Sequence, residues 1–228
     1  MPISTGTHSA NPGKSAANSA SRSALRALST KSTPALLITC ADVALLAESL
    51  MPDHPERFFC TSALGTFVPT VSTLNSYGCD STAAAIEYAV RVLRVGDIIV
   101  CGHTGCRAMA LLCGAPAGMR SPHLSAWRAR IKPIVDVLRS HYAHVTGESE
   151  RQRVAEMECV LFSLENLQTY PSVRESLESG AIRLHGWCHD SASEELSAYE
   201  PASGQFEPLM GLRSLAGRPA GDFRMEPR

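Results

Sequence analysis

The sequence predicts an α/β fold: a mainly parallel central sheet flanked by helices, with an antiparallel hairpin at its C-terminal edge. Short apolar runs of strand length stand at Ala35–Thr39 and Ile98–Cys101, and Ala181–Trp187 reads as a further strand. Between them lie longer segments whose apolar residues recur at helical spacing. Strands alternating with helices build a parallel sheet covered on both faces.

Taken in order, residues 1–20 are dominated by Ser, Ala, Gly and Asn and read as a disordered tail. Residues 21–33, with Leu25 and Leu28 on one side, are expected to form a short arm helix. A single domain is expected over residues 34–212, followed by a C-terminal tail at 213–228. The run ALLIT at 35–39 suits a strand buried on both faces, and Arg57–Cys60 a second strand. Asp80 can cap a helix carrying Ile86, Ala89, Val90 and Leu93, with Gly96 as its terminator. Ile98–Cys101 forms a third strand ending at Gly102. Helices follow from Cys106 to about Cys113, over Leu124–Arg139 and over Arg151–Thr169. Pro171 and Gly180 punctuate the approach to a fourth strand, and Leu196–Glu200 makes an edge hairpin after it.

Composition narrows the function classes. The chain has 228 residues, 44% hydrophobic and 19% charged, with a formal net charge of −1. The near-neutral balance argues against a nucleic-acid partner, and no apolar run is long enough to span a bilayer. The N-terminus lacks an apolar signal core, so a cytoplasmic location is expected. With no export signal, the eight cysteines are expected to be reduced, as buried thiols or as ligands.

Two cysteine positions stand where an α/β sheet places its chemistry, beyond the carboxyl ends of strands. Cys40 ends the first strand within Thr39-Cys40-Ala41-Asp42. His103 and Cys106 follow the third within Gly102-His103-Thr104-Gly105-Cys106. Thiolate and imidazole are preferred zinc ligands, and three of them leave a fourth position for water. Cys106 opens a helix, whose N-terminus favours a thiolate. Gly102 and Gly105 allow the loop to turn tightly. Taken alone, a His-x-x-Cys pair is a weak signal, and most such pairs are accidental.

Together the segments resemble the β-class carbonic anhydrases, whose pattern is Cys-x-Asp-x-Arg after the first strand and His-x-x-Cys after a later one. Cys40-Ala41-Asp42 and His103-Thr104-Gly105-Cys106 match it in order. The likeness continues through Ser81–Val90, Leu164-Glu165-Asn166-Leu167 with Tyr170-Pro171, and Leu184-His185-Gly186-Trp187, and so covers roughly Leu28 to Leu209. The resemblance implies one Zn2+ per chain on Cys40, His103 and Cys106, reversible hydration of CO2 to bicarbonate, and a homodimer or dimer-based assembly. The arm at 21–33 and the hairpin near 196–209 are the expected exchange surfaces. In the family an Asp, held by an Arg, accepts a hydrogen bond from the metal's solvent ligand; here that Asp is Asp42, the expected catalytic residue.

The pattern then breaks. Ala44 stands where the family has its Arg, and alanine cannot supply a charged bidentate partner. With nothing obvious to restrain it, Asp42 is expected to be free to bind the metal as a fourth ligand and close the site. Thr61-Ser62-Ala63-Leu64-Gly65 replaces the family's Arg-Asn-x-x-Asn, and Lys31 replaces a pocket Gln. Arg107 either places a positive charge at the mouth of the site or is a solvated helix residue, and the second reading is preferred. Weak or altered hydration is therefore expected. The alternatives are a catalytically impaired zinc protein with a structural or regulatory role, and a hydrolase of CS2 or COS. Cys60, Cys79, Cys101, Cys113, Cys159 and Cys188 are expected to be buried thiols, Tyr88 to be packing, His123 to lie at a helix start, and His185 and His189 to serve the edge hairpin.

Overall fold

A computed structural model describes residues 33–43, 55–74, 80–114 and 121–209. The expected N-terminal tail, most of the arm, Lys31, Ala44, Cys79 and the C-terminal tail lie outside the described residues. Six strands form one sheet: β1 (Ala35–Cys40), β2 (Phe58–Ala63), β3 (Asp97–His103), β4 (Arg183–Asp190), β5 (Glu195–Glu200) and β6 (Gln205–Pro208). Their order is β2-β1-β3-β4-β5-β6. The first four are mutually parallel, and β5 and β6 continue the sheet antiparallel. The predicted architecture is the one observed.

Strand order explains the placement of the site. From β1 the chain moves outward to β2, then crosses back to lay β3 on the other side of β1. The carboxyl ends of β1 and β3 are thus neighbours at a point where the winding reverses, and a crevice opens there in such sheets. Thr39 pairs with Cys101, so Cys40 emerges beside the end of β3.

Six described helices accompany the sheet: α1 (Val71–Leu74), α2 (Ser81–Tyr88), α3 (Arg107–Gly114), α4 (Pro122–Ser140), α5 (Glu148–Leu167) and α6 (Pro171–Glu178). Asp80 caps α2 as expected, accepting from the backbone N–H of Thr82 and Ala83. Gly96 is not the terminator. A wider last turn over Ala89–Leu93 ends at Arg94, which takes the left-handed conformation at φ 53°. The Pro171–Gly180 stretch, read as punctuation, contains helix α6, because Pro171 occupies the first turn, where its missing N–H costs nothing.

Alternate residues of the buried strands feed two cores. Leu36, Ile38, Ile98 and Val100 pack with Ile86, Val160, Leu167 and Val173 from the helices. On the opposite face Leu37, Ile99, Cys101 and Trp187 cluster with Leu196, Ala198 and Leu209. Helix α5 lies unusually close to β3 and β4. A Cβ on Gly102 would come within 2.7 Å of Val160 Cγ2, and one on Gly186 within 3.1 Å of Val160 Cγ1. Gly102 therefore serves close approach rather than a turn; the turn belongs to Gly105, at φ 72°.

Polar groups of α5 also grip the segment after β2. Cys159 donates to Gly65 O at 2.9 Å, Ser163 to Thr66 O at 3.1 Å and Asn166 to Val68 O at 2.7 Å. Tyr170, just beyond the helix, donates to Pro69 O at 2.9 Å. Residues 65–69 are buried without strand partners, and these side chains satisfy the carbonyls of Gly65, Thr66, Val68 and Pro69.

Candidate metal centre

The ends of β1 and β3 and the start of α3 bring Cys40, His103 and Cys106 together, their ligand atoms all within 4.8 Å of one another. All three are buried. The sulfurs of Cys40 and Cys106 stand 3.7 Å apart. His103 Nδ1 lies 3.0 Å from Thr104 O, and a carbonyl only accepts, so Nδ1 carries the proton. The lone pair is left on Nε2, which is buried and has no hydrogen-bond partner. A buried ring nitrogen without a partner, beside two sulfurs, is a gap that a cation fills.

The surroundings favour sulfur in its charged form. The backbone N–H of Asp42 donates to Cys40 Sγ at 3.3 Å. The bond with Cys40 and burial hold the Cys106 thiol up, against the backbone N–H groups of Met109 and Ala108 early in α3, which pull it down. As the pair stands, the hydrogen bond from Cys106 pulls the Cys40 thiol down and, by the same bond, holds Cys106 up. Two adjacent sulfurs retain one proton between them, and a divalent ion would release it.

Behind the sulfurs lies an acidic residue that sequence reasoning missed. Glu156 on α5 is 3% exposed and accepts from Cys106 N at 2.7 Å. Gln152, one turn earlier, donates to both Cys106 O and Glu156 Oε1 at 3.0 Å. Burial raises the Glu156 carboxyl to about 7, against these hydrogen bonds. The signal was present: Glu156 shares a helical face with Cys159, Val160 and Ser163, all buried.

Asp42 is not part of the ligand group. Its Oδ2 accepts from the backbone N–H of Arg107 at 2.8 Å and its Oδ1 from Arg107 Nε at 2.6 Å. The expectation that Asp42 has no restraint is therefore overturned, and so is the preferred reading of Arg107 as merely solvated. Despite some burial, the two bonds and the guanidinium charge hold the Asp42 carboxyl below its usual range.

A sequence profile of the family described as carbonic anhydrase matches residues 35–196. The chain belongs to the β-class carbonic anhydrase family. Carbonic anhydrase 1 of Escherichia coli is 36% identical over 185 residues, 80% of this chain and 81% of that protein. A carbonic anhydrase of Pseudomonas aeruginosa is 32% identical over 200 residues, covering 85% and 87%. The solved structure of the β-carbonic anhydrase CcaA superposes with a TM-score of 0.70 at 28% identity, over 83% of this chain and 91% of that one.

The remaining candidates sort by burial. Cys101, Cys159 and Cys188 are buried as expected, Cys113 is half-buried, and Cys60, on edge strand β2 beside Leu37, is exposed. Tyr88 is also partly exposed and leans on Phe59, ring centroids 5.5 Å apart. His185 and His189 lie on β4, an interior strand rather than an edge. His185 Nε2 bonds Asp97 Oδ1 at 2.9 Å, at the end of the sheet opposite the metal centre. His123 lies in the first turn of α4. In the segment that replaces the family's Arg-Asn-x-x-Asn, Gly65 takes φ 70°, and Trp127 Nε1 donates to Leu64 O at 3.2 Å.

Proposed function

We propose that this chain is a zinc enzyme that reversibly hydrates CO2 to bicarbonate and a proton. The observation that carries the reading is the buried, unpartnered His103 Nε2 facing two sulfurs. That donor set suits zinc, and three protein ligands leave a position for solvent. Zinc, when bound, supplies Lewis acidity that makes a nucleophile of water near neutral pH. Thr104 O fixes the His103 tautomer, and Glu156 with Gln152 pins the Cys106 backbone. Asp42 stays ionised and keeps lone pairs on both oxygens beyond the bonds from Arg107. Either oxygen can accept a water O–H and so orient that water's oxygen toward the carbon.

Ala44 and the Thr61–Gly65 segment favour a second reading, an impaired zinc protein with a structural role. Stopped-flow CO2 hydration with parallel zinc analysis separates the two. One zinc per chain with turnover well above buffer, both lost in Cys106→Ser, supports the enzyme. One zinc per chain with hydration at the buffer rate supports the second reading, and a chain that binds no zinc excludes both. Carbon disulfide and carbonyl sulfide belong in the same assay, since the site chemistry does not discriminate against them. A cytoplasmic homodimer, or a larger assembly of such dimers, completes the proposal.

A further inference from the structure

We propose that Arg107 is the positioning residue for Asp42, replacing from the helix side the arginine that position 44 lacks, and that it thereby keeps the metal's fourth position open. The inference rests on the zinc reading above and deepens it. Asp42 lies two residues after Cys40, and its own N–H already bonds the Cys40 sulfur. Arg107 follows Cys106 directly. Their contact therefore ties together the two ligand-bearing segments, 65 residues apart in sequence.

The geometry is that of a clamp. The carboxylate is held by one donor on each oxygen, the backbone N–H of Arg107 on Oδ2 and Nε on Oδ1. Any residue except proline at 107 would keep the backbone bond; only arginine provides the second, in the plane that suits a carboxylate. The Arg107 side chain is 83% exposed and that of Asp42 only 13%. In so open a setting the pair adds little to stability. Its consequence is orientation. With both oxygens bound, the carboxylate is directed at the start of α3. With Oδ1 released, a divalent cation nearby attracts that oxygen as an additional ligand.

A purely helix-capping role for Asp42 predicts no effect on the metal's open position, so the test reads that position directly. The full chain is loaded with cobalt(II) in place of zinc, and its visible spectrum is titrated with thiocyanate. Thiocyanate can displace solvent but competes poorly with a carboxylate held by the same chain. The wild type is expected to respond. Arg107→Ala is expected to weaken the apparent thiocyanate affinity roughly tenfold, as when nine molecules in ten are closed. Adding Asp42→Asn, or Ala44→Arg, to that variant is expected to restore the response. Arg107→Lys, which keeps the charge without the fork, is expected to fall between.

An Arg107→Ala chain that binds thiocyanate like the wild type overturns the proposal. So does a wild type that responds only once Asp42→Asn is introduced, since Asp42 would then close the site despite Arg107. If the wild type takes up no cobalt, or Cys40→Ser binds it unchanged, the metal reading itself fails and this inference with it.

Discussion

Replacing Gly102 by alanine tests whether the close seating of α5 on the sheet holds the metal centre in register. The new Cβ would stand 2.7 Å from Val160 Cγ2. Carbon atoms pack at about 3.5–4.0 Å, so the overlap is roughly 1 Å. Val160 is fully buried on a helix, where a β-branched side chain has one strongly preferred rotamer. It cannot turn aside, so the helix or strand must shift. Overpacking of this kind costs about 1–3 kcal/mol, and in a chain of this size each kcal/mol lowers Tm by about 2–4 °C. Glu156 lies one turn before Val160 and holds Cys106 N at 2.7 Å, so the same shift strains the support of a ligand. Zinc affinity is expected to fall about tenfold, the lower end for loss of an outer support. Val160→Ala removes the obstructing methyls. Alone it destabilises by about 2 kcal/mol through lost burial and a cavity. Combined with Gly102→Ala it is expected to cost about 1–2 kcal/mol less than the sum of the single changes. Urea unfolding of chelated protein gives the stabilities, and competition with a chromophoric chelator gives the affinities. A Gly102→Ala chain within about 0.5 kcal/mol of wild type, or strictly additive costs in the double variant, refutes the reasoning.

Two further predictions concern buried carboxyls. Asp97, 1% exposed, accepts from Arg183 Nε at 2.8 Å and from His185 Nε2 at 2.9 Å. Although burial opposes it, these partners hold its carboxyl below the usual 3.8, so its contribution is present above that pH and lost as pH falls below it. Asp97→Asn should lower Tm at pH 7 and flatten the acid side of the stability curve; equal acid limbs would refute the pairing. Glu156 runs the other way. Burial lifts its carboxyl from 4.5 to about 7, so the metal-free chain loses stability relative to Glu156→Gln as pH rises through that interval, by on the order of 3 kcal/mol. Parallel curves for the two proteins, measured by urea unfolding in chelator, would contradict it.

Much of the fold was legible because its signals are local. The apolar runs that became β1 and β3, the Asp80 cap and the helical spacing of α4 and α5 each depend on residues a few positions apart. Where local reading failed, a competing local rule or a distant partner decided. Arg94 accepted the left-handed cap that Gly96 was expected to provide. Pro171 started a helix rather than breaking one. Strand β4 became interior because β5 and β6 extend the sheet past it. The Cys40, His103 and Cys106 group was legible because thiolate and imidazole are a zinc-type donor set and the three stand at or just after the carboxyl ends of β1 and β3.

By itself, then, the sequence determined the α/β alternation, the Cys40, His103 and Cys106 donor set, and the absence of arginine at position 44. The tertiary structure alone decided who answers that absence. Asp42 meets Arg107 across 65 residues, and Glu156 meets Cys106 across 50. Periodicity states which face of an element is buried, but not which face opposes it. That choice follows from strand order and from the glycines that let α5 settle against β3, which is why Ala44 read in isolation implied an unrestrained carboxylate.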